Sequence, residues 1–150
     1  LPENVRRDRI ADLLQMVSLH PHDAGKLPVQ MSGGQLQRVC IARALASNPK
    51  LIVLDEAVSN LDLTLQIQVL DLLTDLRKRL GVAYLFITHD LRLVQRFCDR
   101  LAVLEGGKLV EEARVEHGQI HLQHPMSRNL QEAILPARPT PRHKSASAPA

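Results

Sequence analysis

Aromatic residues are scarce in this chain of 150 residues, which contains two Phe, one Tyr and no Trp. Proteins that hold single-stranded nucleic acid commonly stack its bases on aromatic side chains, and this sequence has almost none to offer. A surplus of positive charge is also missing, because 19 basic residues are balanced by 16 acidic ones and the net charge is only +3. Binding along a nucleic-acid backbone needs a denser basic face. We therefore expect no nucleic-acid partner.

Cysteines are few, and long apolar runs are absent. Cys40 and Cys98 lie far apart in helix-like apolar segments, so we expect free, half-buried thiols of a cytosolic protein rather than a disulfide. No apolar run has the length that spans a bilayer, and the first residues do not resemble a signal peptide. Any membrane role is then expected to come through a partner.

A pair of glycines opens the most informative stretch, M-S-G-G-Q at residues 31–35. Ser32 is a good helix N-cap, and Gln35 stands where a capping-box partner reaches back to the cap N–H. Such a helix end presents free N–H groups and the positive end of the helix dipole, which suits a phosphate. Gly33 and Gly34 lack a Cβ, so the backbone there can approach a ligand closely. An ordinary capped helix is the alternative interpretation of the motif taken alone.

Two acids, Asp55 and Glu56, follow the apolar run L-I-V-L at residues 51–54. The run is typical of a buried parallel strand, whose carboxyl end would deliver both acids to a nucleotide crevice. Adjacent acids can divide the work there, one holding a hydrated Mg²⁺ and the other polarising a water. A strand end with solvated acids is the alternative. S-N-L-D at 59–62 and F-I-T-H-D at 86–90 complete the set of motifs.

In this order the four motifs resemble the C-terminal half of an ABC-transporter ATPase subunit, over about residues 1–112. The resemblance implies that Ser32, Gly33, Gly34 and Gln35 form the signature motif. In that family the signature motif contacts the γ-phosphate of a nucleotide held by the other subunit.

The same resemblance assigns roles to four further residues. Asp55 and Glu56 match the Walker B acids, so that Asp55 would order Mg²⁺ through water and Glu56 would be the general base. Asp62 matches the D-loop aspartate, and His89 matches the switch histidine that senses or holds the γ-phosphate. The catalytic residues would then be Glu56 and His89, and the cofactors ATP and Mg²⁺.

The implied fold class is α/β, a P-loop NTPase (RecA-like) core with a helical subdomain. Residues 1–48 would be part of the helical subdomain with the signature motif, and residues 49–112 the C-terminal part of the RecA-like core. Residues 113–150 would be a C-terminal extension, ending in a disordered tail at 138–150 because that stretch is polar and rich in proline.

The phosphate-binding motif of this fold is missing, because G-x-x-x-x-G-K-[ST] occurs nowhere in the 150 residues. The Walker A strand and loop, the adenine-stacking aromatic residue and the glutamine loop of the family would all lie upstream. We therefore expect a C-terminal portion of a longer subunit. By itself this portion would lack the pocket for its own ATP and would be inactive.

Sequence details narrow the resemblance to one branch of importers. Residues 57–60 are A-V-S-N where most of the family has P-T-S-A. This variant is accompanied by four further stretches, Q-L-Q-R-V-C at 35–40, T-H-D-L-R-L-V at 88–94, R-F-C at 96–98 and A-I-L-P-A at 133–137. The combination resembles the nickel-import ATP-binding subunits of the dipeptide and oligopeptide importer branch. It implies an ATPase that energises nickel uptake as a peripheral protein on the cytoplasmic face of the inner membrane.

The implied partners are a second ATPase subunit in a head-to-tail dimer, membrane permease subunits and, indirectly, an extracytoplasmic substrate-binding protein. Three alternatives stay open. The chain could serve a dipeptide or oligopeptide importer, it could be a truncated, non-catalytic module that supplies the signature motif in trans, or it could be an ABC ATPase of soluble function. The last usually carries long coiled-coil insertions or a second cassette, which this chain does not show.

Hydrophobic periodicity predicts the main elements. Helices are expected at residues 5–17, from Ser32 to Asn48, at 63–80 after an Asp62 cap, at 90–97 and at 127–135, with strands at 51–54 and 82–88 and a hairpin of 101–104 with 108–110. The expected packing positions are Ile10, Leu13, Leu14 and Val17 in the first helix, Leu36, Val39, Cys40 and Ala44 in the second, and Leu65, Val69, Leu72, Leu73, Leu76 and Leu80 in the third.

Three of the seven histidines, His117, His121 and His124, have the i, i+4, i+7 spacing that one helical face would align as metal ligands. Gly118 and Pro125 argue against a stable helix there, so we expect no metal at these residues.

Overall fold

The computed structural model describes residues 2–134 and divides the chain into two units, one ending at Thr88 and the other beginning at His89. The first unit contains α1 (Glu3–Met16), two 3₁₀ turns (Pro21–Gly25 and Pro28–Gln30), α2 (Gly33–Leu45), β1 (Leu51–Asp55), α3 (Leu63–Leu80) and β2 (Ala83–Ile87). The second contains α4 (Leu91–Phe97), β3 (Arg100–Glu105), β4 (Lys108–Arg114) and α5 (Pro125–Ile134). The tail expected to be disordered, residues 138–150, lies outside the described residues.

The first unit is built around a β–α–β segment. Strands β1 and β2 pair in parallel, from Leu51 opposite Ala83 to Asp55 opposite Ile87, and α3 connects them. Asp62 caps the start of α3 and Gly81 ends it in the left-handed conformation, with its N–H bonded to the Arg77 carbonyl at 2.9 Å. The predicted parallel strands and the helix between them are confirmed. The expected subdomain boundaries at 48/49 and 112/113 stay predictions.

The first strand, expected to be a buried parallel strand, is buried on one face only. Ile52 and Leu54 are buried and line a small cavity with residues of α2 and α3, whereas Leu51 and Val53 are 54% and 56% exposed. The second strand has the same asymmetry, because Leu85 and Ile87 are also exposed. Within the first unit, helices α2 and α3 pack on the face of the sheet that carries Ile52 and Leu54, and the side chains on its other face are exposed.

Helix α3 supplies the largest part of the core of the first unit. Leu73 and Leu76 are fully buried as predicted, but Leu70 is buried where no packing position was expected, and Leu80 is 45% exposed. The helix therefore buries a broader stripe than the predicted one over its central turns, and its last turn extends beyond the core.

Helices α1 and α2 also depart from their predicted packing faces. Leu13, Leu14 and Val17 are buried as expected, while Ile10 is 40% exposed. In α2 the predicted buried face was wrong, because the face that is buried lies to one side of it. The predicted residues Leu36, Val39 and Ala44 are half-buried and Cys40 is exposed, whereas Ile41, Ala42 and Leu45 are buried. The helix has apolar residues on two sides, so that periodicity alone did not select the buried one.

The second unit is a β-hairpin with two helices. Strands β3 and β4 pair antiparallel around Gly106 and Gly107, which both have positive φ as a tight hairpin turn requires. The hairpin prediction is confirmed, although β4 runs to Arg114 rather than to Val110. The core of the second unit contains Leu91, Val94, Ile120 and Leu122.

The histidine-rich stretch of the second unit does not form a helix. His117 and Gly118 have positive φ, and Glu116 and Gln119 form an isolated bridge around them. His124 instead immediately precedes α5. No group of three His, Cys, Asp or Glu side chains among the described residues is arranged to hold a metal ion.

The two cysteines are free, as predicted. Cys98 is half-buried, but Cys40 is exposed rather than half-buried. None of the helices in residues 2–134 has the length and apolar character needed to cross a membrane.

Candidate functional site

The N-terminus of α2 has the predicted capping box. The Ser32 hydroxyl accepts a hydrogen bond from the Gln35 N–H at 3.2 Å, and the Gln35 side-chain oxygen accepts one from the Ser32 N–H at 2.9 Å. Ser32 is exposed, so this helix end faces solvent. The cap satisfies the Gln35 N–H and leaves the N–H groups of Gly33 and Gly34 at the positive end of the helix dipole.

The two glycines differ in their surroundings. A Cβ on Gly34 would lie 3.2 Å from Cδ2 of Leu65, so Gly34 allows α2 and α3 to pack closely. A Cβ on Gly33 would lie 3.8 Å from Cδ2 of Leu61, which is an ordinary contact, and Gly33 is exposed. Gly34 therefore has a packing reason that the sequence did not indicate, while Gly33 is the more accessible of the two to a ligand.

These contacts place two capped helix N-termini side by side. Gly33 and Gly34 of α2 lie against Leu61 and Leu65, which flank the start of α3. The Asp62 carboxylate caps that start by accepting a hydrogen bond from the Leu65 N–H at 3.0 Å. The structure thus brings the predicted signature residues next to Asp62. Two adjacent helix N-termini create a local positive potential suited to an anion.

Asp55 and Glu56 stand at the carboxyl end of β1, and both are exposed. Asp55 is the last residue of the strand and pairs with Ile87 of β2. Glu56 has a positive φ of 45°, a conformation that is strained for a residue with a side chain, and its N–H donates to the Ile87 carbonyl at 3.0 Å. The chain turns sharply at this residue, so that Asp55 completes the alternation of the strand and Glu56 does not continue it.

A network that sequence reasoning missed holds the loop between Glu56 and Asp62. Ser59 donates both its N–H, at 3.1 Å, and its hydroxyl, at 2.9 Å, to the Glu56 carbonyl. The Gln66 side-chain amide donates to the Val58 carbonyl at 3.0 Å. Two spacings in the sequence could have indicated this network. Ser59 lies three residues after Glu56, as in a turn, and Gln66 lies four residues after the Asp62 cap, on the same side of the helix.

His89 begins the second unit, where it is exposed and directly precedes the cap of α4. That cap is Asp90, whose carboxylate accepts hydrogen bonds from the Arg92 N–H at 2.9 Å and from its guanidinium at 2.7 Å and 3.0 Å. The Arg92 guanidinium, with the backbone N–H of Arg92, holds the pKa of Asp90 below its ordinary value despite partial burial. Sequence reasoning identified His89 but not the ion pair between Asp90 and Arg92.

Comparison with known proteins shows similarity to ABC transporter proteins. Residues 2–59 match the family model described as ABC transporter. The chain is 68% identical over 134 residues to the nickel import ATP-binding protein NikE of Rhodospirillum rubrum, covering 89% of this chain and 47% of the relative. It is 57% identical over 139 residues to the protein of the same name from Brucella abortus, covering 93% and 52%. The chain thus spans about half the length of the curated relatives it matches.

Solved structures extend the likeness to the fold. The ATP-binding cassette MJ0796 in a dimeric post-hydrolysis state, bound to ADP and Pi, is 34% identical with a TM-score of 0.66, over 77% of this chain and 50% of that chain. The cbiO1 protein of Clostridium perfringens, part of the ABC transporter complex cbiONQ, is 31% identical with a TM-score of 0.69, over 77% and 45%. The resemblance inferred from four short motifs is therefore confirmed, because the chain is similar to ABC transporter ATP-binding proteins in both sequence and fold.

Proposed function

We propose that this chain takes part in ATP hydrolysis as the portion of an ABC importer ATPase that carries the signature motif, the hydrolytic acids and the switch histidine. The observation that carries the proposal is the placement of the Ser32-capped and Asp62-capped helix N-termini side by side. The exposed Gly33 and the two exposed N-caps present free N–H groups and the positive ends of two helix dipoles at one surface, which suits a phosphate.

The signature residues Ser32, Gly33, Gly34 and Gln35 would bind the γ-phosphate of an ATP molecule held by a second ATPase subunit. The N–H groups of the two glycines would donate to phosphate oxygens, and the capping box would hold the helix end in place for them. Asp62 would lie at the same interface. Its carboxylate already caps α3, so its position relative to the signature helix is set before a nucleotide binds.

The two acids fit the metal and base roles. Mg²⁺ prefers oxygen ligands and keeps several waters, so one exposed carboxylate at a strand end, that of Asp55, is enough to hold it through water beside a nucleotide. When bound, the metal supplies positive charge that neutralises the phosphates. Glu56 would take the proton of the attacking water, because it follows Asp55 directly and is held in a sharply turned backbone.

His89 would contact the γ-phosphate in the assembled ATPase. An imidazole N–H can donate to a phosphate oxygen, and the exposed His89 lies two residues after the end of the apolar strand β2. The groups that grip the remainder of the ATP molecule would come from outside these 150 residues, since the sequence contains no G-x-x-x-x-G-K-[ST].

The transported substrate is proposed to be nickel, because the two relatives described above are named as nickel import proteins. A dipeptide or oligopeptide is the alternative, as in the wider importer branch. The partners would be a second ATPase subunit in a head-to-tail dimer, the permease subunits and, indirectly, an extracytoplasmic substrate-binding protein. The chain would then work on the cytoplasmic face of the inner membrane.

Uptake of radioactive nickel by cells that contain the complete importer tests the proposal. We expect uptake with the wild-type chain, its loss in Glu56→Gln, and no competition by excess dipeptide. Nickel uptake that continues in Glu56→Gln would contradict the catalytic role. Dipeptide uptake in place of nickel uptake would favour the alternative substrate and refute the nickel assignment.

A further inference from the structure

The loop between Glu56 and Asp62 starts from a strained residue. Glu56 has a φ of 45°, in the left-handed region where a Cβ crowds the following carbonyl. A residue keeps such a conformation only when its surroundings hold it there, and strained residues of this kind are found most often at functional sites. Neighbouring groups must therefore hold the loop in this conformation.

Two anchors lie within the loop itself. Ser59 bonds the Glu56 carbonyl through both its N–H and its hydroxyl, and this closes a turn directly behind the strained residue. Val58 is 2% exposed, so its side chain fixes the middle of the loop in the core. Its carbonyl, in contrast, needs polar partners, because a buried carbonyl without hydrogen bonds is costly.

Gln66 supplies such a partner from α3. Its side-chain amide donates to the Val58 carbonyl at 3.0 Å in a partly buried position, where the Leu61 N–H also donates at 3.2 Å. The backbone N–H of Gln66 donates to the Asp62 carbonyl at 2.9 Å. One residue of α3 therefore bonds the loop at two points, one near Glu56 and the other at the cap.

We propose that Gln66 is a positioning residue for ATP hydrolysis. By holding the Val58 carbonyl, its amide keeps the loop in the one arrangement that presents Glu56 to the attacking water and Asp62 to the signature helix. Gln66 acts through the loop and does not touch the nucleotide. The inference rests on the proposed function, because it presumes that Glu56 is the general base.

The test compares Gln66→Glu with Gln68→Glu in the assembled transporter complex. Glutamate has nearly the shape of glutamine but cannot donate when ionised, so Gln66→Glu removes the bond to Val58 and keeps the volume. Gln68→Glu makes the same charge change two residues further along α3, at an exposed position. The kcat and KM for ATP and the unfolding temperature are measured for each variant.

For Gln66→Glu we expect kcat to fall about tenfold, since the Val58 carbonyl keeps the Leu61 N–H but loses the bond that ties it to α3, and the loop is loosened. The KM for ATP should stay within about twofold of the wild-type value, because the nucleotide contacts are untouched. Gln68→Glu should leave both constants unchanged. If the Gln66→Glu complex does not assemble, Gln66→Met, which also lacks the donor, is measured in its place with the same expectation.

The proposal would be overturned by a wild-type kcat in Gln66→Glu or Gln66→Met. It would equally be overturned by a lowered unfolding temperature with an unchanged kcat per bound ATP, because that result describes a purely structural residue. A wild-type complex that hydrolyses no ATP would instead refute the proposed function. An active wild type with an unaffected Gln66 variant would refute this inference alone.

Discussion

Asp62 has two separable tasks, and one pair of substitutions distinguishes them. Its carboxylate caps α3 through the Leu65 N–H at 3.0 Å, and its position beside the signature helix gives it a proposed nucleotide-site role. Asp62→Ala removes the cap and should lower the free energy of unfolding by about 1 kcal/mol, within the range of about 0.5–2 kcal/mol typical of N-caps. For a chain of this size the unfolding temperature should fall by roughly 2–4 °C per kcal/mol.

Asp62→Asn keeps an oxygen that can accept the same bond. It loses only the favourable interaction of a negative charge with the positive helix end, which is worth about 0.3–1 kcal/mol at an exposed site. We therefore expect the stability of Asp62→Asn to lie between those of the wild type and Asp62→Ala. Urea denaturation at low salt, followed by circular dichroism, measures all three, because an uncharged denaturant does not screen the charge of Asp62.

ATPase assays of the complete transporter with the same variants give the second readout. If the charge of Asp62 acts at the nucleotide interface, Asp62→Asn should lose turnover by more than its small stability loss explains. Equal stability of Asp62→Ala and the wild type would refute the capping argument. Full turnover in Asp62→Asn would refute a role for the charge.

Three further predictions follow from burial and charge. Leu73→Ala, at a position with 0% exposure, should lower the free energy of unfolding by about 2–5 kcal/mol, and Leu80→Ala, at 45% exposure, by clearly less; equal losses in denaturation curves would contradict the described core. Burial raises the pKa of Tyr84 to about 12, so the ultraviolet titration of this single tyrosine should occur near pH 12. The free energy of unfolding should decrease as pH rises above 10, because the tyrosine of the unfolded chain ionises there first. Titration at the ordinary value of 10.0 would show that the phenol is solvated. The pKa of Asp90 is held below its ordinary 3.8 by Arg92, so the stability that this pair contributes should be present above about pH 4 and lost as pH falls below it; an Asp90→Asn variant with the same acid dependence as the wild type would refute this.

Local features were predictable from the sequence because nearby residues determine them. The capping box of Ser32 and Gln35, the Asp62 cap and the left-handed Gly81 each depend on residues within one helical turn. The parallel strands followed from two apolar runs separated by a helix of the right length.

Burial was less predictable, because it depends on which elements cover which face. The apolar run at 51–54 predicts a buried strand, but only Ile52 and Leu54 are buried, while Leu51 and Val53 are more than half exposed. Gly34 was interpreted through ligand approach or an ordinary helix cap, while its contact with Leu65 depends on how two helices pack. The Gln66 bond to Val58 joins a helix surface to a loop carbonyl, and no sequence pattern specifies such a pair.

The central claim is that Glu56 is the general base of an ABC-type ATPase. The most direct measurement is ATP turnover by the complete transporter with Glu56→Gln beside Glu105→Gln, the same chemical change at an exposed residue of the hairpin. The account predicts that Glu56→Gln still binds ATP but turns it over at least about 100-fold more slowly, as expected when a general base is removed, while Glu105→Gln matches the wild type. Turnover by Glu56→Gln at the wild-type rate would contradict the account.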